Sequence, residues 1–206
     1  SAYSSVVFNK NNLNVEAGGR WNDHSAYGNN FTYTFNPSYL INRKIKVFAN
    51  ASSAYKIPSL YQLYDPFAGN EELEPEESEI FEGGAEMFGR KIRVRVTGFY
   101  RKTDNAIQYI TINPATFDGD YYNINSQKNY GVESEFHYQA NKWNVHANYT
   151  FTKGEISSSY TESGMLLSKD TTYNNLYRVP ENAVNVFAIY NLNQKLSFSG
   201  LIKYVR

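Results

Sequence analysis

The sequence contains no cysteine, only three histidines and only six prolines among its 206 residues. Without cysteine, disulfide bonds and thiolate metal ligands are excluded. His24, His137 and His146 have neither a second histidine nor a carboxylate at the spacing of a catalytic or zinc-binding motif. Phosphate loops, dinucleotide fingerprints and nucleophile elbows are absent as well. We therefore predict that the protein is not an enzyme and uses no cofactor or metal.

The sequence also lacks a charge bias and a long apolar run. Its 20 basic and 20 acidic residues cancel, and no basic stripe indicates a nucleic-acid partner. No stretch of about eighteen apolar residues is present, which excludes a transmembrane helix. No export signal opens the chain, and both ends fall within strand-like sequence, so we expect a piece of a larger protein.

Tyrosine and alternating polarity are what the sequence has in abundance. Aromatic residues make up 17% of the chain and include 19 tyrosines, which suits strands and surfaces between apolar and aqueous phases. Apolar and polar residues alternate with a period of two, most clearly over residues 13–22, 92–101, 132–139 and 143–152. Each of these segments is predicted to be a strand with one apolar and one polar face.

The links between these strands alternate in length. Short polar links are predicted at residues 9–12, 42–43, 89–91, 141–142 and 193–194, and longer ones at 24–30, 56–76, 113–119 and 154–177. This pattern predicts about ten antiparallel strands in a meander, with short turns at one end and long loops at the other. No segment is predicted to be a helix.

Two structures fit an all-β meander of this kind: a soluble sandwich or barrel, and a transmembrane β-barrel. The strand lengths, the asymmetry of the links and the aromatic residues near strand ends, such as Trp143, favour the membrane. The prediction is therefore an all-β, partial transmembrane β-barrel. It assigns Val94, Val96, Val145 and Ala147 to lipid, and Arg93, Arg95, Glu133 and Glu135 to the lumen.

A long motif identifies the family that the sequence resembles. Residues 55–64 read Tyr-Lys-Ile-Pro-Ser-Leu-Tyr-Gln-Leu-Tyr, and Gly69, Asn70, Leu73, Pro75 and Glu76 follow in order. This resembles the barrel of TonB-dependent receptors, in which a strand rises into a Lys/Arg-x-Pro-x-Leu stretch and a Gly-Asn-x-x-Leu-x-Pro-Glu turn follows. Further pieces at residues 104–107, 121–123, 131–133 and 176–180 keep the family order, so the resemblance covers the whole chain.

The resemblance implies an uptake receptor of the Gram-negative outer membrane, with the cobalamin receptors as the most similar branch. It implies that residues 1–206 are a C-terminal part of a barrel of about 22 strands, without the last few. The family's plug domain, its TonB box and its terminal aromatic residue are not visible in the sequence. The implied partners are cobalamin or another bulky nutrient, the energy-coupling protein TonB, and outer-membrane lipid. We also expect the piece to self-associate through its unpaired edge strands.

Aromatic residues in the long links are the candidate ligand-binding groups, because rigid amphipathic rings grip bulky ligands. They are Tyr55, Tyr61, Tyr64, Phe67, Tyr121 and Tyr122, together with the cationic Arg178. The opposing interpretation is that these tyrosines only pack on one another or mark the outer aromatic belt. Three further functions stay open beside cobalamin uptake: a ferric-siderophore or heme receptor, a porin or adhesin, and a soluble carbohydrate-binding β domain.

Overall fold

The computed structural model describes residues 1–206 except 114, 117, 162–164, 175, 177 and 178. The described residues form eleven strands and one short helix. The strands are β1 (Ala2–Lys10), β2 (Leu13–His24), β3 (Gly28–Ile41), β4 (Ile45–Lys56), β5 (Glu76–Phe88), β6 (Ile92–Asn113), β7 (Asp118–Ala140), β8 (Trp143–Tyr160), β9 (Leu166–Tyr173), β10 (Asn182–Asn191) and β11 (Ser197–Val205), and the helix is α1 (Leu60–Tyr64).

The strands form one antiparallel sheet. Ten of them follow the order β1-β2-β3-β4-β5-β6-β7-β8-β10-β11, and β9 pairs with β8 alone. The predicted all-β antiparallel fold is confirmed, with eleven strands where about ten were predicted. One correction concerns β9, which leaves the meander. Short turns join the strands at one end, and Asn11, Asn42 and Asn141 adopt positive φ there, a conformation that asparagine tolerates better than most residues.

On β3 and β5 the apolar face of the sheet is the more exposed one. On β5, Phe81 is 45% exposed, whereas Glu86 on the opposite face is only 4% exposed. Cross-strand pairing places Val94, Val96, Ala147 and Val145 on the apolar face, and Arg93, Arg95, Glu133 and Glu135 on the other, as predicted. We call these surfaces the apolar face and the polar face. On β3 and β5 the exposure of the two faces is the reverse of that in a soluble sheet, whose apolar side is buried.

Three strands extend far toward the long loops. β6, β7 and β8 contain 22, 23 and 18 residues, well beyond the roughly nine to eleven that cross a bilayer. The predicted link at 113–119 is close to the observed one, since β6 continues to Asn113 and β7 begins at Asp118. The predicted long link at 154–177 is instead largely strand, since it contains the end of β8 and all of β9.

One predicted loop contains a helix, which contradicts the expectation of none. α1 follows Ser59, whose hydroxyl accepts from the backbone N–H of Gln62, while the Gln62 side chain accepts from the backbone N–H of Ser59. This reciprocal cap stabilises a helix too short to persist alone. No helix in the described part of the chain is long and apolar enough to cross a membrane.

Candidate functional site

The loop between β4 and β5, residues 57–75, is held in a compact shape by local bonds. The Asp65 carboxylate accepts from the backbone N–H groups of Phe67 and Ala68, at 3.3 and 3.0 Å. Gly69 donates its N–H to the Asp65 carbonyl at 2.8 Å. A Cβ at position 69 would lie 2.6 Å from two backbone atoms of Asp65. The glycine of the motif is therefore required by close backbone approach.

The same loop is fastened to the long hairpin of β6 and β7. At its base, Lys56 pairs with Glu76 at 2.5 Å, and Glu76 also accepts from the backbone N–H of Ile107 at 2.7 Å. Higher up, the Asn70 side chain donates to the Tyr121 carbonyl at 2.9 Å. Leu73 between them is only 2% exposed. The motif residues thus dock the loop against β6 and β7.

Docking brings Tyr61 against two tyrosine rings that are already neighbours on β6 and β7. Tyr61 of α1 lies 6.2 Å from Tyr121 of β7, and Tyr121 lies 5.5 Å from Tyr109 of β6, both in edge-to-face geometry. These rings border a cavity of about 780 Å³, which falls in the usual range for small-molecule sites. Its other described lining residues are Asp65, Phe67, Ala68, Gln108, Ile110, Thr111, Ile124, Ile156, Ser158, Tyr160 and Thr161.

The cavity combines aromatic surface with neutral hydrogen-bonding groups. Asp65 contributes the only carboxylate among its described lining residues, and no lysine or arginine is among them. Burial raises the pKa of Tyr121 above its ordinary value of 10.0, and Tyr61, Asp65 and Tyr109 raise it further. The Tyr121 hydroxyl is therefore neutral at physiological pH and able to donate a hydrogen bond.

A small hydrophobic cluster supports the floor of the cavity. It contains Ala106, Ile110, Ile124, Ile156 and Leu176, with Tyr122 and Tyr160 packed against it. The rings of Tyr122 and Tyr160 lie 4.8 Å apart. All members of the cluster except Leu176 lie in the parts of β6, β7 and β8 beyond a bilayer-crossing length. The cluster therefore gives the projecting strands a core of their own.

The predicted ligand-binding residues are found in three places. Tyr61, Phe67 and Tyr121 line the cavity, and Tyr122 packs on the cluster beneath it with its hydroxyl 3.4 Å from Asp120. Tyr55 and Tyr64 do not line it: Tyr55 pairs with Glu77 at the loop end of β4 and β5, and Tyr64 is 60% exposed. Arg178 lies outside the described residues. The binding role of each remains a prediction.

Sequence reasoning missed several residues of the cavity, among them Tyr109, Gln108, Ser158 and Tyr160. Ser158 and Tyr160 fall in the segment predicted as a long link. Tyr109 and Gln108 lie beyond residues 92–101, where the alternation of their strand is clearest. Their position before the predicted link at 113–119 was the signal that could have placed them in the strand.

The polar face carries charged and ring groups below the cavity. Glu86 pairs with Arg93, the Arg95 guanidinium lies 4.6 Å from the centre of the Phe48 ring, and the rings of His137 and His146 lie 4.0 Å apart. Within the described part of the chain, no group of three or more potential ligands is arranged for a metal ion.

On the apolar face, aromatic residues and charged residues form separate rows across neighbouring strands. Phe81, Tyr100 and Tyr130 lie side by side on β5, β6 and β7. Two residues further toward the loops, a charged row consists of Glu79, Lys102, Lys128 and Glu155. Near the short turns, Trp143 lies beside Tyr190 with ring centres 4.8 Å apart. An apolar band thus lies between this aromatic row and the Trp143–Tyr190 pair.

Comparisons with known proteins agree on the family and differ in ligand. Residues 1–206 match the TonB dependent receptor-like β-barrel family. The vitamin B12 transporter BtuB of Photobacterium profundum is 27% identical over 135 residues, covering 65% of this chain and 22% of that protein. The BtuB of Vibrio cholerae is 34% identical over 120 residues, covering 58% and 19%. The chain thus spans about a fifth of the length of these curated relatives.

Two solved structures have the same fold. The siderophore receptor PirA from Acinetobacter baumannii has a TM-score of 0.72 at 18% identity, covering 98% of this chain and 32% of that one. The copper transporter OprC has a TM-score of 0.76 at 14% identity, covering 98% and 33%. At these identities the similarity concerns the fold alone.

Proposed function

Because the chain belongs to the TonB-dependent receptor β-barrel family, we propose that it is part of an outer-membrane receptor that binds and imports cobalamin. The family consists of receptors and transporters of the Gram-negative outer membrane and not of enzymes. We assign the same location to this chain and a transport role without chemical catalysis. The proposal also includes a plug domain and energy coupling through TonB, because the resemblance to the family implies both.

The bands of the apolar face support the membrane location. The stretch from Ile92 to Tyr100 has the roughly nine to eleven residues that cross a bilayer. Tyr100 ends this stretch in an aromatic row, and Lys102 begins the charged row above it. Aromatic rows followed by charges are typical of the boundary between hydrocarbon and water.

We infer the class of ligand from the cavity bordered by Tyr61, Tyr109 and Tyr121. Its aromatic rings suit the flat surface of a corrin ring. Asp65, Gln108 and Ser158 suit the amide groups around the edge of that ring. A polyanionic ferric catecholate would instead require cations, since charged ligands need opposite charges on a site that excludes water. The described lining therefore favours a corrinoid over such a siderophore.

Equilibrium binding to the detergent-purified receptor that contains these strands tests the proposal. We expect cyanocobalamin to bind, and an excess of a ferric catecholate siderophore or of heme to leave it bound. In cells, uptake of cyanocobalamin should stop when TonB is deleted. Binding of the siderophore or heme without binding of cyanocobalamin would overturn the substrate, and TonB-independent uptake would favour a porin.

A further inference from the structure

The side-chain amide of Asn123 on β7 contacts two other segments of the chain. Its Oδ1 accepts from the backbone N–H of Glu74 at 2.8 Å, and its Nδ2 donates to the Glu74 carbonyl at 2.9 Å. The same Nδ2 donates to the Asn105 carbonyl at 2.7 Å. Glu74 belongs to the 57–75 loop, so one side chain pairs with that loop as a neighbouring strand would.

Only an amide side chain can make all three bonds. Asparagine offers one oxygen acceptor and two N–H donors, and both donors and the acceptor are used here. Asn105 has a φ of 53° and is passed over in the pairing of β6 with β7, so its carbonyl is available to Asn123. An aspartate at position 123 would keep the acceptor, lose both donors and place a negative charge beside two carbonyl oxygens.

Neighbouring contacts also hold the loop against β6 and β7 at this point. The Asn105 amide reaches the Glu74 carboxylate at 3.2 Å. Leu73, next to Glu74, is almost fully buried. The Tyr121 N–H donates to the Ala68 carbonyl at 3.2 Å. A loop held at Ala68 and Glu74 holds α1, and therefore Tyr61, against Tyr121.

We propose that Asn123 is a positioning residue that latches the 57–75 loop onto β7 and so forms the aromatic wall of the cavity before ligand arrives. It acts through Tyr61 and Tyr121. Without the latch, only a fraction of molecules has the loop docked, and the apparent affinity falls by that fraction. The inference rests on the proposed function for its binding consequence, but the docking of the loop is independent of any ligand.

Amide hydrogen exchange and cyanocobalamin binding on the full receptor test the latch together. Asn123→Asp should speed exchange over residues 68–75 by on the order of tenfold, while β1 to β5 keep their protection. Cyanocobalamin affinity should fall by a similar factor through slower association, with the dissociation rate unchanged. Asn129→Asp on the same strand, where only a long 3.4 Å contact from Gln127 is present, is the matched control and should change neither quantity.

A second variant with a smaller expected effect keeps the test valid if Asn123→Asp misfolds. Asn70→Ala removes the bond to the Tyr121 carbonyl and the local bond from the Glu72 N–H, and it leaves Asn123 intact. It should produce a smaller increase in exchange over the same residues. Unchanged exchange in Asn123→Asp would overturn the latch whatever the binding result. Faster exchange with unchanged affinity would overturn its positioning role. A receptor that never binds cyanocobalamin would overturn the proposed substrate, and the exchange data would still decide the latch.

Discussion

The ring of Tyr61 meets the ring of Tyr121 edge to face, with centres 6.2 Å apart and planes at 77°. The two residues belong to a short helix and to a strand that are distant in sequence. Edge-to-face pairs contribute about 0.5–1.5 kcal/mol beyond the area they bury. Since Tyr121 also contacts Tyr109, it is the central ring of the aromatic wall.

The first prediction separates the tyrosines of α1. Tyr61→Ala removes a ring from the cavity, so cyanocobalamin affinity should fall by roughly 3- to 10-fold. Tyr64→Ala, on the same helix but outside the cavity, is the matched control and should change affinity by less than about twofold. Isothermal calorimetry on the detergent-purified receptor measures both. Equal losses in the two variants would contradict the assignment of the cavity as the binding site.

The second prediction concerns a glycine of the motif. Gly69→Ala forces a Cβ to within 2.6 Å of the Asp65 backbone, so the loop must open and its amide exchange should rise. In Gly98→Ala the nearest atom is a carbonyl oxygen at 3.9 Å, an ordinary contact, and exchange should not change. If Gly69→Ala left the protection of residues 65–70 intact, the close backbone approach at Gly69 would be contradicted.

The third prediction tests the apolar face. Val96 lies near the middle of the apolar stretch of β6 and is 44% exposed. Val96→Arg should cost roughly 2–4 kcal/mol of folding free energy in a bilayer, because a charge near the midplane is poorly solvated. Val96→Leu is the control and should be close to neutral. Reversible denaturant unfolding in lipid vesicles gives the free energies, and a neutral result for Val96→Arg would place this face away from lipid.

The fourth prediction follows from the raised pKa of Tyr121. Docking of the loop disfavours ionised Tyr121, so its contribution is fully present below the ordinary pKa of 10.0 and is lost as pH rises through the raised value. Amide exchange corrected for intrinsic pH effects should therefore show docking constant up to about pH 10 and weaker above it. Tyr121→Phe cannot ionise and should reduce this weakening. Ultraviolet titration in which the Tyr121 signal appears below the ordinary pKa would refute the shift.

Local patterns in the sequence were sufficient for the strands inside the apolar band. Val94 and Val96 alternate with Arg93 and Arg95 because successive side chains of a strand point to opposite faces. The links at Asn42 and Asn141 were predictable because asparagine accepts the turn conformation found there. The sequence pattern left open only which face was exposed, since alternation is the same in lipid and in water.

Outside the apolar band the local patterns were less informative. Asn105 adopts positive φ within β6, and it lies beyond residues 92–101, where the alternation of that strand is clearest. The Ser59–Gln62 cap stabilises a helix of only five residues, which is too short for a periodic pattern. β9 pairs with β8 alone, a choice of neighbour that composition does not encode.

The sequence by itself therefore determined the strands of the apolar band, their two faces and their short turns, because these depend on a residue's immediate neighbours. Only the tertiary structure decided which aromatic residues meet: Tyr61 and Tyr121 border the cavity, whereas Tyr55 and Tyr64 do not. That choice depends on where the 57–75 loop docks. Docking depends on bonds such as that of Asn123 to Glu74, whose partners are 49 residues apart in the chain. No local pattern contains such a bond, because its energy exists only when both segments are already in place.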